Sequence, residues 1–154
     1  MMIAGLLYYL FIIPLSYLPL RIIYLFSDVL FVLLITIIPY RRKVIISNLR
    51  NSFPEKSDDE IKHISTQFFR HFCDLLAEAI KNLSISKNEL SQRFKVHNPE
   101  LMESLYKQGK SVILVSGHYN NWEWMITSQN FLFPHQAVGI GMPLSSKFWN
   151  KKIN

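Results

Sequence analysis

The first 40 residues contain two apolar runs that leave this chain few ways to fold. Residues 2–20 carry no charge, and residues 22–40 carry a single charged side chain, Asp28. Each run is close to the roughly 20 residues that a membrane-spanning helix needs. Pro14 and Pro19 would bend or end a first helix, however, and Asp28 would be costly at the centre of a bilayer. The sequence therefore predicts hydrophobic N-terminal helices with an interruption between them.

Three arrangements of these helices fit the pattern. The first is one spanning helix followed by an interfacial helix, and the second is two tilted helices that dip into one leaflet. The third is a pair of buried helices in a soluble domain. A soluble core draws its apolar residues from the whole chain, whereas here they are concentrated at one end. We therefore predict that residues 1–43 form membrane-anchoring helices.

Basic residues are concentrated next to the apolar runs. The formal net charge is +6, and the sequence "YRRK" at residues 40–43 follows the second run. By the positive-inside rule this basic flank lies on the cytoplasmic side of a membrane. Nucleic-acid-binding proteins spread their basic residues over a soluble fold, whereas this segment is mostly hydrocarbon. The pattern thus predicts a membrane partner and no nucleic acid.

A long amphipathic helix is predicted over residues 53–83. Ser57 and Glu60 form a capping box at its start. Cys73, the only cysteine, lies within the amphipathic pattern, so it is expected to be a buried apolar residue and no internal disulfide is possible. The apolar residues at helical spacing are Ile61, Ile64, Phe68, Phe72, Leu75, Leu76, Ala79 and Leu83.

The rest of the chain alternates between helix and strand patterns. Runs rich in β-branched residues at 111–116 and 136–142 are typical of strands buried on both faces, and residues 93–97 could form another strand. Helices are expected on either side, at 98–109 and 120–133. This alternation predicts an α/β domain with a parallel or mixed sheet over residues 44–154. Two or three strands are too few for a complete domain of this kind, so the sequence is expected to form only its front part.

His118 and Glu123 are the candidate catalytic pair. Gly117, His118 and Tyr119 are expected to form the turn at the carboxyl end of a strand, which is where open α/β sheets bind ligands. Gly117 would let a ligand approach the backbone there. With His118 in the turn and Glu123 in the first turn of the next helix, their side chains could converge. An imidazole bonded to a carboxylate is a general base.

Another interpretation uses the same residues for structure alone. Asn120 and Glu123 have nearly the spacing of a capping box, and Trp122 and Trp124 could be packing residues. No G-x-S-x-G serine elbow accompanies His118, and no further histidine or cysteine pair has the spacing of metal ligands. The sequence therefore predicts no metal and no cofactor. A dyad without a protein nucleophile favours direct transfer to a substrate hydroxyl.

The segment "SGHYNNWEW" resembles the H-x4-E signature of the bacterial lipid A biosynthesis (lauroyl/myristoyl) acyltransferases. These are relatives of the wider H-x4-D/E lysophospholipid and glycerol-phosphate acyltransferases. The resemblance extends over the chain, through the apolar N-terminus, "YRRKVIISNLRNSFPEKS", "FFRHFCDLLAEAIK" and "NPELMESLYKQGKSVILVSGH". It corresponds to about the front half of a family member. It implies membrane-associated helices followed by an incomplete glycerol-phosphate-acyltransferase-like mixed sheet flanked by helices, with the C-terminal half absent.

The resemblance also implies a reaction and a location. Such an enzyme lies on the cytoplasmic face of the bacterial inner membrane. It moves a fatty acyl chain from acyl carrier protein to a hydroxyl of a lipid A precursor or related lysolipid, without a metal or a covalent acyl-enzyme. His118 would be the base and Glu123 its partner, with Gly117, Asn121 and Trp122 binding substrate. Met142 stands where the family usually has a basic residue, which removes one expected phosphate or donor contact.

Two other functions remain compatible with the sequence. The chain could be an inactive or partial fragment that acts as a non-enzymatic membrane protein. It could also be a hydrolase, such as a thioesterase, that uses the same dyad with water as the acceptor.

Overall fold

The structure, a computed structural model, describes the backbone of residues 2–153 and the side chains of residues 4–146 and 148–152. Helices make up 67% of the chain, and no strand is present among the described residues. The helices are α1 (Met2–Leu7), a π-helix (Tyr8–Ile12), α2 (Ile13–Tyr17), α3 (Leu20–Thr36), α4 (Arg42–Ser52), α5 (Asp58–Asn82), α6 (Lys87–Arg93), α7 (Pro99–Lys107), α8 (Trp122–Leu132) and α9 (Lys147–Ile153).

The predicted α/β fold with an incomplete mixed sheet is therefore wrong. Residues 111–116 and 136–142 are extended, but neither segment is hydrogen-bonded to a strand anywhere in residues 2–153. A strand is stabilised by its ladder to a neighbour, and these segments have none, so Ile113 and Val138 remain 89% and 85% exposed. The possible strand at 93–97 is also absent from the described chain, because Arg93 is the last residue of α6.

The arrangement with one membrane-spanning helix is wrong as well. Across residues 2–153, no helix combines the length and the hydropathy that crossing a bilayer requires. Pro19 adopts φ −53° and ψ 139° between α2 and α3, which ends the first apolar run, and α3 has 17 residues. Pro14 lies just after the π-helix. In a regular helix its ring would clash with the carbonyl of residue 10, which accounts for the wider turn.

The chain divides into two compact units. One contains residues 18–81, and the other contains residues 1–17 together with residues 82–154. This division reflects which residues contact one another. The domain boundary predicted after residue 43 concerned membrane anchoring, and it stays a prediction.

The unit of residues 18–81 is built around α3 and α5. Leu34, Phe69 and Cys73 are buried together in its core. Side chains packed against them are Leu30, Phe31, Ile35, Ile45 and Phe72. The predicted capping box of α5 is confirmed: Ser57 N–H donates to Glu60 Oε2 at 2.9 Å, and Glu60 N–H donates to Ser57 Oγ at 3.3 Å. The predicted burial of Cys73 is also confirmed, because its side chain is 0% exposed.

The other unit contains the predicted site. Its α6 and α8 lie in contact, with Leu90 and Trp124 buried. Asn82 Nδ2 donates to Thr127 Oγ1 of α8 at 2.9 Å. Tyr8 contacts the rings of Phe148 and Trp149 edge to face. These contacts hold the segments of this unit together and fix the position at which α8 begins.

Candidate functional site

His118 lies at the centre of a tight turn between an extended segment and α8. Tyr119 N–H donates to the carbonyl of Gly117 at 2.9 Å, and this i to i+2 hydrogen bond closes a γ-turn around His118. The imidazole is exposed to solvent. A Cβ added to Gly117 would meet no atom within 4 Å, so the backbone there is open to an approaching ligand. The predicted turn at His118 is present although the predicted strand before it is not.

Trp122 is the side chain that the structure brings to His118. Their ring centroids lie 4.4 Å apart, and the ring planes meet at 61°. Trp122 is the first residue of α8. An aromatic contact of this kind restricts the orientation of the imidazole and is worth about 0.5–1.5 kcal/mol.

Asn121 begins α8 as its N-cap. Its side-chain Oδ1 accepts a hydrogen bond from Trp124 N–H at 3.2 Å. The preceding residue, Asn120, has a φ of 52°, in the left-handed region that asparagine tolerates better than most residues. The positive φ that the turn needs is therefore supplied at Asn120. With Asn121 as the cap, the predicted capping box between Asn120 and Glu123 is not formed.

Glu123 lies in the first turn of α8 and is half-buried. A carboxylate at this end of a helix is stabilised by the partial positive charge of the unpaired backbone N–H groups. Among the residues that the structure describes, no hydrogen bond joins Glu123 to His118. The structure thus places the pair on adjoining elements, with Trp122 against the imidazole, and their catalytic roles stay predictions.

Trp124 anchors the helix that carries these residues. It is 7% exposed, and Ser128, one turn further along α8, is 1% exposed. Within the described chain, the indole Nε1 of Trp124 has no hydrogen-bond partner. Trp122 and Trp124 were both interpreted as possible packing residues, but the structure separates them, because Trp124 is in the core and Trp122 lies against the imidazole.

A sequence profile of the bacterial lipid A biosynthesis acyltransferases matches residues 2–134, which include the turn and α8. The chain belongs to this family. No curated protein and no solved structure matches it. Membership in the lipid A biosynthesis acyltransferases implies acyl transfer with a lipid as the acceptor.

Two surface grooves of the chain do not have His118 among their lining residues. One, of about 400 Å³, is lined by residues of α7 and the end of α8, including Tyr106 and Phe131. The other, of about 430 Å³, is lined by Lys110 and Val112 at the start of the extended segment and by His135. His135 Nε2 lies 3.1 Å from the carbonyl of Lys110, and its ring contacts Tyr106. The sequence does not point to His135, because a lone histidine after a helix has no distinctive spacing.

The described part of the chain contains no group of three or more His, Cys, Asp and Glu side chains that could hold a metal ion. The chemistry available at the turn comes from an exposed imidazole, an indole against it and a carboxylate on the next helix.

Proposed function

We propose that the chain transfers a fatty acyl group from acyl carrier protein to a hydroxyl of a lipid A precursor or related lysolipid, with His118 as general base and Glu123 as its orienting partner. The observation that carries the proposal is the position of His118: an exposed imidazole at the centre of a turn, directly before a helix whose first turn contains a carboxylate. The family match gives the reaction class and the lipid acceptor.

The proposed step uses only a proton and an acyl group. A ring nitrogen of His118 takes the proton from the acceptor hydroxyl as its oxygen attacks the carbonyl carbon of the acyl thioester. A new C–O bond forms, the C–S bond breaks, and the thiol of the carrier protein leaves with the proton that His118 returns. A general base of this kind contributes roughly 10²- to 10⁴-fold to the rate.

Glu123 has two roles in the proposed reaction. When the acceptor is bound, its carboxylate accepts a hydrogen bond from the second ring nitrogen of His118, which fixes the tautomer and stabilises the imidazolium. Trp122 and Asn121 support this arrangement, since one contacts the imidazole and the other fixes the start of α8. Gly117 leaves room for the substrate beside the turn.

The proposed location is the cytoplasmic face of the bacterial inner membrane. The acceptor is a lipid, so the reaction takes place where its hydroxyl meets water. The basic residues that follow α3 suit both the phosphates of a glycolipid and the acidic surface of a carrier protein.

The test is an acyl transfer assay with labelled acyl carrier protein and a lipid A precursor in detergent. The His118→Ala variant should lose at least about 100-fold in rate. The Glu123→Gln variant should lose less, because the base is still present. His97→Ala is the matched control: this exposed histidine lies in the same unit, outside the turn, and its loss should leave the rate unchanged.

Three results would contradict the proposal. Normal transfer by His118→Ala would remove the role given to the imidazole. Release of free fatty acid without an acylated lipid would indicate a thioesterase. Absence of any transfer by the folded 154-residue protein would favour a non-enzymatic membrane protein.

A further inference from the structure

The long helix α5 carries a row of apolar side chains that the core leaves uncovered. Phe68, Phe72 and Leu76 lie at every fourth position; Phe68 and Leu76 are exposed and Phe72 is half-buried. The rings of Phe68 and Phe72 are stacked, with 6.1 Å between their centroids, and the exposed Tyr40 stacks on Phe72 at the same distance. We call these four residues the aromatic ridge. Rows at every fourth position are the ridges that pack into the groove of a neighbouring helix.

The aromatic ridge is narrow and has a fixed base. Phe69 and Cys73, which follow its two phenylalanines, are buried in the core of the unit. Gln67 and His71, which precede the two phenylalanines, are polar and exposed. An apolar row with a hydrated polar edge is the arrangement found in protein–protein interfaces, where a polar rim borders an apolar centre.

A cluster of cations follows the ridge directly in the chain. Arg41, Arg42 and Lys43 come after Tyr40, all three are exposed, and none has a carboxylate partner within the described residues. We call these three residues the basic cluster. They do not stabilise the helix on which they lie, because α4 begins at Arg42, has no acid in its first turn, and carries a partial positive charge at this end. Their charge is therefore available to an anionic partner.

We infer that the aromatic ridge and the basic cluster form the docking surface for an acidic helix of the acyl carrier protein. The inference rests on the proposed function, which names this carrier as the acyl donor, and it adds the surface that binds the carrier. Carboxylates of the carrier helix face the basic cluster, and its apolar side chains pack on the ridge. Positions four apart on a helix rise by about 6 Å, which matches the 6.1 Å between the rings of the ridge.

An anionic bilayer would attract the same cations but fits the ridge less well. If the ridge entered hydrocarbon, Gln67 and His71 beside it would lose their water, which is unfavourable for polar groups. A helix of another protein covers only the apolar row and leaves these two side chains hydrated at its edge. The charge complementarity of an acidic partner also speeds and orients the encounter.

Carrier binding tests the basic cluster without depending on catalysis. Fluorescently labelled acyl carrier protein, with its thiol acylated, is titrated with the purified 154-residue protein in detergent, and Kd is measured by fluorescence anisotropy. Arg41→Gln/Arg42→Gln should raise Kd at least about tenfold and make it less sensitive to salt. Lys56→Gln/Lys62→Gln is the matched control: it removes the same charge from the same unit, where both lysines already pair with acids, and it should leave Kd unchanged.

The same titration tests the aromatic ridge. Phe68→Ala/Leu76→Ala should raise Kd at least about tenfold, because the apolar centre of an interface carries much of its binding energy. Leu101→Ala/Ile126→Ala truncates two apolar side chains that are at least as exposed in the other unit, and it should leave Kd unchanged. The buried Cys73 reports folding, since it should stay unreactive towards a thiol reagent in every variant that is used.

Protection of a single cysteine locates the contact even if the double alanine variant does not fold. Cys73 is the only cysteine of the chain and is buried, so a thiol reagent reaches the introduced one first. The acylated carrier should slow alkylation of Leu76→Cys at least about fivefold and leave that of Leu101→Cys unchanged. Vesicles of phosphatidylethanolamine and phosphatidylglycerol are added in a parallel experiment. Protection of Leu76→Cys by the vesicles and not by the carrier would show that the ridge faces a membrane and would overturn the inference.

The outcomes separate this inference from the proposed reaction. Unchanged Kd for both Arg41→Gln/Arg42→Gln and Phe68→Ala/Leu76→Ala, in a protein that transfers acyl groups, would overturn the docking surface and leave the reaction standing. Carrier binding that depends on the ridge and the cluster, in a protein that transfers no acyl group to a lipid A precursor, would uphold the docking surface and refute the catalytic proposal.

Discussion

The imidazole of His118 lies edge-on to the indole of Trp122, with 4.4 Å between their ring centroids. Trp122 is the first residue of α8, and Trp124, two residues later, is in the core. The backbone that carries the indole of Trp122 is therefore held in place. The contact therefore holds the exposed histidine in a restricted set of orientations.

Loss of the indole should slow acyl transfer. Trp122→Ala is expected to lower the rate about tenfold, the equivalent of roughly 1.4 kcal/mol, because the imidazole would sample more orientations. Trp122→Phe keeps an aromatic contact and should retain most of the rate. Initial rates at saturating donor, together with thermal unfolding, provide the check. If Trp122→Ala lost thermal stability but kept the rate of acyl transfer, the indole would be a packing residue only.

Removal of the Asn121 cap should loosen the start of α8. Asn121→Ala is expected to destabilise this helix by about 1 kcal/mol, because Trp124 N–H loses its acceptor. Asn121→Asp keeps an acceptor at the same position and should preserve the helix. Hydrogen exchange of the first amides of α8 measures the effect. Equal protection in both variants would show that the cap contributes little.

The thiol of Cys73 should make stability fall at alkaline pH. Burial raises the pKa of this thiol above its ordinary value. The unfolded chain therefore releases the proton first, and the native state loses relative stability as pH rises past about 8.5. Cys73→Val has no titrating group at this position. The difference in unfolding free energy between the unaltered protein and Cys73→Val should be constant from pH 6 to about 8. Above that, it should shift in favour of Cys73→Val. A constant difference up to pH 10 would contradict the prediction.

The capping box of α5 should weaken in acid. The hydrogen bond from the Ser57 backbone N–H, followed by bonds from the Ser57 and Lys56 side chains, lowers the pKa of Glu60. The ionised Glu60 carboxylate therefore stabilises the folded protein above its unfolded pKa of about 4.3. This stabilisation is lost as pH falls through the lower pKa of the folded state. Wild type and Glu60→Ala should differ in melting temperature at pH 7 and converge near pH 2. Glu60→Gln keeps the reciprocal bonds and has no carboxyl group to protonate. Its difference in melting temperature from Glu60→Ala should therefore persist at pH 2.

The sequence predicted best where local interactions decide the structure. The capping box at Ser57 is present, and it joins residues only three positions apart. The turn at His118 was also predicted, since glycine, asparagine and a following helix pattern specify it locally.

Predictions that depend on distant partners failed. The runs at 111–116 and 136–142 have the composition of strands, but a strand exists only when another pairs with it, and no pairing occurs within residues 2–153. The apolar stripe of α5 is only partly buried for a related reason. Two of its members, Phe68 and Leu76, are 44% and 39% exposed, whereas Ser65 and Lys81 are buried. Periodicity gives the apolar side of a helix, but the neighbouring helix decides which positions it covers; here α3 brings polar partners to α5.

The extended segments also affect how this chain behaves before and after folding. Ile113, Val115, Val138 and Ile140 stand on backbone whose N–H and C=O groups are open to pairing, and at least 85% of each side chain is exposed. Such edges are templates for cross-β assembly between copies. The yield of native protein should therefore fall as its concentration rises during synthesis. A chaperone that holds these segments apart on the nascent chain would then determine how much of it accumulates.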